Sequence, residues 1–223
     1  MPPFFSLLLF VLCAGIATAI PAANPVAVPA ASATRPPTGA ATISKVAVDT
    51  EGSGCRSGTV AVAFAPDNSA LTLILDGFHA GIGPGYEDFG TRAFCRVNVT
   101  MSSPGWAFDV QSVDFRSYVN IQKGVEVSLV SRWKWIDTKG VDMKGKGNVK
   151  KVLTGPFEDD YLLHKDDELS DSEQSVCSKV SAMFQLSLSA TLSATSPTVT
   201  GKVDGDSADA RFGEILNLSW RRC

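Results

Sequence analysis

The stretch Ala182-Met183-Phe184-Gln185-Leu186-Ser187-Leu188-Ser189-Ala190-Thr191-Leu192 is the longest run of alternating apolar and polar residues in the chain. Successive side chains of a β-strand point to opposite faces, so this alternation predicts a strand with one buried face and one solvated face. Its apolar series consists of every second residue from Ala182 to Leu192. No long stretch of the chain shows an apolar period of 3.6 residues, so a helical fold is not indicated.

Shorter runs with the same period of two occur along the rest of the chain, separated by glycine-rich or turn-forming clusters such as Pro66-Asp67-Asn68-Ser69 and Gly81–Gly90. These runs predict strands at 60–64, 71–75, 95–101, 106–115, 125–135, 198–203 and 215–220. About eight to ten strands with polar outer faces predict an all-β fold, an antiparallel two-sheet β-sandwich of the jelly-roll kind, with a barrel as the alternative.

One run changes phase in its middle. Trp106, Phe108 and Val110 alternate with polar residues, and the apolar series then resumes at Val113 and Phe115. In a regular strand, this shift of one residue would place the apolar residues of the second half on the opposite face of the sheet. The change of phase therefore predicts a β-bulge near 111–112.

Composition limits the classes of function. The chain has 223 residues, 44% of them hydrophobic, and a formal net charge of −3. This length suits one domain with appendages, and the hydrophobic fraction is enough for a packed core. Only two histidines are present, which excludes a metal site made of several histidines. The weakly acidic charge gives no indication of a nucleic-acid partner.

The N-terminus has the pattern of a secretion signal. An apolar run from Phe4 to Ile16 is followed by Ala17-Thr18-Ala19, the small-x-small sequence that signal peptidase cleaves. The run is shorter than the roughly 20 apolar residues of a membrane span, although an N-terminal anchor is the alternative. Residues 1–19 are therefore predicted to be a signal peptide, and the mature protein to be extracellular, without a membrane association and monomeric.

A proline- and alanine-rich stretch follows the signal. Residues 20–41 contain five prolines and eight alanines, with Arg35 as the single charged residue. Such a sequence has no apolar periodicity, so it cannot bury enough surface to offset the entropy that it would lose on ordering. It is interpreted as a disordered leader, which leaves residues 42–223 as a single β-sandwich domain.

Four cysteines remain once Cys13 leaves with the signal peptide. An even number of cysteines in a secreted chain predicts disulfides, and four cysteines permit three pairings. We favour Cys55–Cys95 and Cys177–Cys223, because each bridge closes a loop of about 40 residues without joining the two ends of the domain.

Two N-glycosylation sequons lie in predicted strands, Asn98-Val99-Thr100 and Asn217-Leu218-Ser219. In both, the asparagine falls in the polar series of its strand, where a glycan has room. Asn98 and Asn217 are therefore predicted to be accessible acceptors.

The chain resembles the domain-of-unknown-function 4360 family, small secreted proteins of fungi and bacteria. The resemblance covers about 180 residues and rests on Gly52-Ser53-Gly54-Cys55, Gly58-Thr59-Val60, Ala65-Pro66-Asp67, Phe94-Cys95-Arg96-Val97-Asn98-Val99, Pro104-Gly105-Trp106-Ala107-Phe108, Phe115-Arg116-Ser117-Tyr118, Gly155-Pro156-Phe157, Cys177 and Leu218-Ser219-Trp220-Arg221-Arg222-Cys223. The family pattern has a Trp and a Pro just before the third cysteine, whereas Glu173-Gln174-Ser175-Val176 precedes Cys177 here. The resemblance implies secretion, a β-rich fold and two disulfides, and it supplies no catalytic residues.

The sequence supports no defined catalytic set. A serine hydrolase of the nucleophile-elbow type needs Gly-x-Ser-x-Gly, which is missing, and His79 and His164 are the two imidazoles that a base would require. A glycosidase needs two carboxylates facing each other across a cleft. Candidates for that pair are present, as in most β-proteins: Asp76, Glu87, Asp88, Asp109 and Asp114.

Acidic clusters raise the question of a calcium site, because hard cations prefer carboxylate oxygens. The segment from Asp204 through Asp206 departs from EF-hand spacing and favours a hairpin turn. Asp159 and Asp160 are interpreted mainly as part of a solvated loop. No cofactor is predicted, with calcium as the one candidate.

Two tryptophans alternate with basic residues in Arg132-Trp133-Lys134-Trp135. Rings interleaved with cations suit stacking on sugars or binding to an anionic surface. If Trp133 and Trp135 follow the phase of the preceding strand, they instead belong to the core and the basic residues form the outer face. The second interpretation is favoured.

Charge is distributed unevenly along the chain. Residues 134–151 hold six lysines against two aspartates, and residues 158–173 hold eight acidic residues against one lysine. Two solvated loops, or two segments that neutralise each other, would explain this, as would a charged rim around a binding site.

Together these features predict a secreted, non-catalytic binding protein whose first candidate ligand is a carbohydrate or cell-wall polymer. A secreted glycan hydrolase and an effector or inhibitor that binds a foreign extracellular protein are the alternatives.

Overall fold

A computed structural model describes residues 34–50, 54–143, 146–165, 183–204 and 212–223. These residues form twelve β-strands and no helix. In chain order the strands are β1 (Thr42–Thr50), β2 (Val60–Phe64), β3 (Ala70–Leu75), β4 (His79–Ile82), β5 (Arg92–Ser102), β6 (Trp106–Ile121), β7 (Val125–Ile136), β8 (Gly147–Thr154), β9 (Phe157–Lys165), β10 (Met183–Ala194), β11 (Gly201–Asp204) and β12 (Phe212–Arg222).

The strands make two antiparallel sheets that pack face to face. The five-stranded sheet has the order β1-β5-β10-β7-β8. The seven-stranded sheet has the order β2-β3-β12-β6-β11-β4, with β9 paired to β6. The predicted all-β sandwich is confirmed. The alternative of a barrel is wrong, because within the described residues the two sheets keep separate edges and no ladder of hydrogen bonds joins them.

The alternating stretch that predicts the fold lies at the centre of the five-stranded sheet. Strand β10 pairs with β5 on one side and with β7 on the other. Phe184, Leu186, Leu188 and Ala190 point between the sheets and are fully buried. A central strand that is buried on its inner face and polar on its outer face explains why the alternation is so regular here.

Strand β6 is the longest strand and organises the other sheet. In its pairing with β12, Ser112 lies opposite Asn217 and Val110 lies opposite Leu218, so Gln111 is the extra residue. The bulge predicted near 111–112 is therefore confirmed. It keeps the apolar residues before and after it on the inner face, where both Val110 and Val113 are buried.

The predicted hairpin at Asp204 is wrong. Strand β11 pairs with β4 and with residues 118–121 of β6, whereas β12 pairs with β3 and with residues 106–116 of β6. Because β9 covers the other edge of β6, strands β11 and β12 lie end to end along one edge rather than side by side. The length of β6 leaves room for both.

The interpretation of the charged segments as solvated loops is wrong for the parts that form strands, whereas residues 137–141 do lie in a loop and residues 166–173 lie outside the described residues. Residues 147–154 form β8, the edge strand of the five-stranded sheet, and residues 157–165 form β9, the edge strand of the other sheet. Edge strands carry charged residues, even at inward positions, and this hides the period of two. Lys151 pairs with the inward Leu129, and Asp159 pairs with the inward Val119.

The end of the predicted leader packs on the sandwich. Pro36 is buried, and its carbonyl accepts a hydrogen bond of 3.1 Å from the side-chain amide of Asn68. The same amide donates to Pro37 O at 3.0 Å, and Arg35 pairs with Asp67 at 2.7 Å. Residues 35–37 are thus held against the sandwich ahead of β1, because the turn between β2 and β3 supplies a carboxylate for Arg35 and an amide donor for the two proline carbonyls.

Candidate functional site

A groove crosses the outer face of the five-stranded sheet and encloses about 450 Å³. Four strands contribute to it, and their register sets its layout. Arg96 of β5 lies opposite Ser187 of β10, which lies opposite Arg132 of β7, which lies opposite Asn148 of β8. The complete lining is Phe94, Arg96, Arg132, Trp133, Lys134, Lys146, Gly147, Asn148, Gln185 and Ser187.

Hydrogen bonds fix the polar groups on the β5 and β10 side of the groove. The Gln185 amide donates to Asn98 Oδ1 at 2.8 Å, and the Asn98 amide donates to Asp49 Oδ1 at 3.1 Å. Arg96 Nε donates to Ser187 Oγ at 3.3 Å, and its guanidinium lies 3.7 Å from Asp49. These contacts hold amide, hydroxyl and guanidinium groups in place before any ligand arrives.

Phe94 provides the aromatic wall of the groove. The guanidinium carbons of Arg92 and Arg96 lie 5.1 Å and 5.3 Å from the centre of its ring. Cation–π contacts of this kind hold long arginine side chains against a ring. The Phe94 ring therefore serves to orient Arg96 within the groove.

A second pocket of about 350 Å³ lies beside the Cys55–Cys95 disulfide. Asp76, Asp88, His79 and Arg56 line it. The two carboxylates are exposed, and the ring of His79 stacks edge-on against Phe89 at 4.6 Å. Two of the five carboxylates suggested by the sequence therefore line one pocket, whereas Glu87, Asp109 and Asp114 do not line it.

Trp133 and Trp135 do not present rings to a ligand. Each side chain is 2% exposed and belongs to the inward series of β7. The ring of Trp135 packs 4.9 Å from Phe184 and 5.2 Å from Phe108. Their role as candidate sugar-stacking residues is wrong, and the core interpretation is correct, because β7 keeps one phase from Val125 onwards.

Three of the four acidic candidates for a cation lie among the described residues. Asp204 ends β11 and lies 3.9 Å from Lys202 Nζ, and Asp206 lies outside the described residues. Asp159 and Asp160 are exposed on β9. Among the side chains that the structure describes, no group of three or more His, Cys, Asp or Glu residues is arranged to hold a metal ion.

The two sequon asparagines occupy the outer faces of the two sheets. Asn98 lies between the buried Val97 and Val99, next to the groove. The Asn217 amide donates to Ser112 Oγ at 2.9 Å and to Asp114 Oδ2 at 3.3 Å. Their glycosylation stays a prediction, and a glycan on Asn98 would share its face with the groove.

The structure contains the Cys55–Cys95 disulfide, which spans a sequence separation of 40 residues. Cys177 lies outside the described residues. The pairing of Cys177 with Cys223 therefore stays a prediction.

Glu214 is a buried carboxyl that sequence reasoning missed. Its side chain is 0% exposed and lies in the inward series of β12, ahead of Leu216 and Leu218. It accepts a hydrogen bond from Ser131 Oγ of the opposite sheet. Burial raises the pKa of Glu214 to about 7, and the hydrogen bond from Ser131 opposes that shift in part. The sequence does contain a signal that could have identified Glu214 as buried, because the residue falls in the same alternate series as the apolar Leu216 and Leu218.

The family model described as "Domain of unknown function (DUF4360)" matches residues 40–223, which is most of the chain. The chain belongs to this family. A relative in Arthroderma benhamiae, described as an uncharacterized secreted protein, is 30% identical over 184 residues. The match covers 80% of this chain and 71% of that relative. The family resemblance noted in the sequence is thereby confirmed.

Among solved structures, the chain shows a slight likeness to TmCBM61 in complex with β-1,4-galactotriose. The TM-score is 0.19 and the identity 12%, over 80% of this chain and 88% of that one. A likeness of this size does not bear on the ligand of this chain. In the described residues, no helix is long and apolar enough to cross a membrane.

The groove illustrates what sequence reasoning misses. Alternation identifies the outward residues that β5, β7 and β10 contribute, including Arg96 and Arg132, but it gives no indication of the residues from β8. Their meeting depends on the strand order β5-β10-β7-β8, which joins parts of the chain up to about 90 residues apart. Strand pairing over such distances leaves no local signal.

Proposed function

We propose that this protein is a secreted, non-catalytic binding protein that holds a polysaccharide in the groove on the outer face of the five-stranded sheet. One observation carries the proposal. The groove gathers amide, hydroxyl and guanidinium groups from four hydrogen-bonded strands, and a sheet is a rigid support for a binding site. Sugar hydroxyls are recognised by polar groups of this kind, and sandwich folds serve as lectin domains.

Secretion is supported by the signal-like N-terminus and by the description of the fungal relative as secreted. The described surface also favours a polar ligand over an apolar protein surface. Its exposed large hydrophobic residues are Val141, Val152 and Leu162. Val152 pairs with Ser128 on the outer face of one sheet, whereas Leu162 pairs with Arg116 on the outer face of the other. These side chains therefore do not form one apolar patch.

The test is retention on insoluble polysaccharides and on a glycan array, with the secreted protein, in the presence and absence of calcium. Asn148→Trp places a large ring at the exposed edge of the groove and is expected to abolish retention. Thr154→Trp is the matched control, because it adds the same ring to the same exposed strand and face, about 20 Å away. Failure of the unmodified protein to bind any glycan would overturn the proposal.

A glycan hydrolase is the second candidate, and the pocket lined by Asp76 and Asp88 is the observation that favours it. A general acid is normally kept protonated in a water-excluding site, whereas both of these carboxylates are exposed. The test is release of reducing ends from the polysaccharides that the protein retains. Release that is lost in Asp76→Asn and in Asp88→Asn would assign the activity to this pocket.

A further inference from the structure

Among the described residues that line the groove, four are cations and none is acidic. Arg96, Arg132, Lys134 and Lys146 all contribute to its wall. The chain as a whole carries a net charge of −3, so this concentration of positive charge is local. Lys134 and Lys146 come from the lysine-rich segment, and the sheet brings the two arginines beside them.

Two of these cations form ion pairs with acidic residues. Arg96 lies 3.7 Å from Asp49, and Lys134 Nζ lies 2.5 Å from Asp142 Oδ1. Arg132 and Lys146 are exposed, and within the described part of the chain neither makes an ion pair or a side-chain hydrogen bond. Their charges are therefore available to a ligand.

The spacing of the cations favours a ligand with repeated negative charges. Arg96 and Arg132 lie on strands separated by β10, so their backbones are roughly 10 Å apart. Lys134 follows Arg132 by two residues on the same face of β7, roughly 7 Å along the strand. A polymer with one charge per repeating unit can place separate negative charges against cations spread over such distances.

We propose that the ligand of the groove is an acidic polysaccharide, in which sugar carboxylate groups pair with Arg132, Lys146 and the pre-oriented Arg96. This inference rests on the proposed function and names its ligand class. Guanidinium groups recognise carboxylates through paired hydrogen bonds. A nucleic acid is disfavoured, because single-strand binding relies on open aromatic faces, and two guanidinium groups already lie against the Phe94 ring.

The experiment compares polygalacturonate with its fully methyl-esterified form by calorimetry. The two polymers share a backbone, and the ester removes the charge. We expect the acidic form to bind at least about tenfold more tightly at ~0.02 M salt, and the difference to shrink at ~0.5 M salt because the charges are screened. Polyphosphate and a single-stranded oligonucleotide are measured alongside as polyanions without sugar carboxylates.

Arg132→Gln is expected to weaken binding of the acidic polymer about tenfold and to leave the esterified polymer unchanged. Arg116→Gln is the matched control, because Arg116 is an exposed arginine on the outer face of the other sheet. Thermal unfolding of both variants is measured alongside, and a cooperative transition in each will show that the variant is folded.

The outcomes separate the two proposals. Equal binding of the acidic and esterified polymers overturns the acidic class while the polysaccharide function stands. Binding of polyphosphate or of the oligonucleotide as tight as that of polygalacturonate overturns the choice of a polysaccharide. No binding of any polysaccharide overturns both.

Discussion

Ser131 and Glu214 meet between the two sheets, where the hydroxyl of β7 donates a hydrogen bond to the carboxyl of β12. Glu214 is fully buried, and its second oxygen, Oε2, finds no partner among the described residues. A carboxyl in such a place is favoured in its protonated form, because burial penalises the charge. The core of this sandwich therefore contains a group that titrates near neutral pH.

Glu214 is expected to make the protein less stable as the pH rises. Below about pH 4.5 the carboxyl is protonated in both states, and between there and about pH 7 only the unfolded chain releases the proton. The free energy of unfolding should fall across this interval by ~3 kcal/mol. Urea unfolding of wild type and Glu214→Gln at about pH 5 and about pH 8 measures the difference.

The glutamine variant should be the more stable of the two at the higher pH and should lack this component of the pH dependence. Glu126→Gln is the control, because Glu126 is an exposed carboxylate on the outer face of β7. A wild type and a Glu214→Gln variant with parallel pH profiles would contradict the assignment.

Ser131→Ala should destabilise the protein by about 1–3 kcal/mol, because it removes the hydroxyl that donates to Glu214. Ser128→Ala, on the outer face of the same strand, should change stability by less than about 0.5 kcal/mol. In the Glu214→Gln background the effect of Ser131→Ala should differ from its effect in wild type, since residues in contact are coupled. Additive effects in that double-mutant cycle would show that the two side chains do not interact.

Asn68→Gly should weaken the attachment of residues 34–41. Asn68 has a φ of 58°, which glycine adopts without strain, so the substitution removes the amide that bonds to Pro36 and Pro37 and leaves the turn intact. We expect a loss of about 1–3 kcal/mol, measured by thermal or urea unfolding. Deletion of residues 34–41 should lower the free energy of unfolding of wild type by a similar amount, and that of the Asn68→Gly variant by much less.

Deletion of Gln111 should be far more damaging than its substitution. The residue is the extra member of the β6 bulge, so its removal would turn the series from Val113 to Ile121 towards solvent or break the pairing with β12. Gln111→Ala should stay within about 0.5 kcal/mol of wild type, because the side chain is exposed. Circular dichroism and unfolding of the two variants distinguish the outcomes, and a stable, native deletion variant would contradict the register.

Removal of the Cys55–Cys95 bridge should cost on the order of 3–4 kcal/mol, because it frees a loop with a sequence separation of 40 residues in the unfolded chain. The Cys55→Ser/Cys95→Ser double variant tests this by unfolding. A non-reducing peptide map should show Cys55 joined to Cys95 and Cys177 joined to Cys223. A peptide in which Cys55 is joined to Cys177 or Cys223 would contradict both pairings.

Alternation was a sound guide wherever one face of a strand is buried and the other is polar. It identified β10, the phase of β7 that buries Trp133, and the bulge in β6. It failed at the edges. Strands β8 and β9 were interpreted as solvated loops, because Lys151 and Asp159 occupy inward positions that are apolar in a central strand. Edge strands need not bury a full face, so their sequences lack the signal.

The sequence by itself determined the class of fold, the faces of its central strands and membership of the family, because period and spacing are local properties of the chain. It favoured the Cys55–Cys95 bridge among three possible pairings, and the tertiary structure decided it. Only the tertiary structure decided that Arg96 and Arg132 flank one groove, that Ser131 reaches Glu214, and that β11 and β12 share an edge of β6. Those facts depend on which strands pair across long stretches of chain. The pairing of strands is decided by how the buried faces of all the strands pack together, so no single segment of the sequence encodes it.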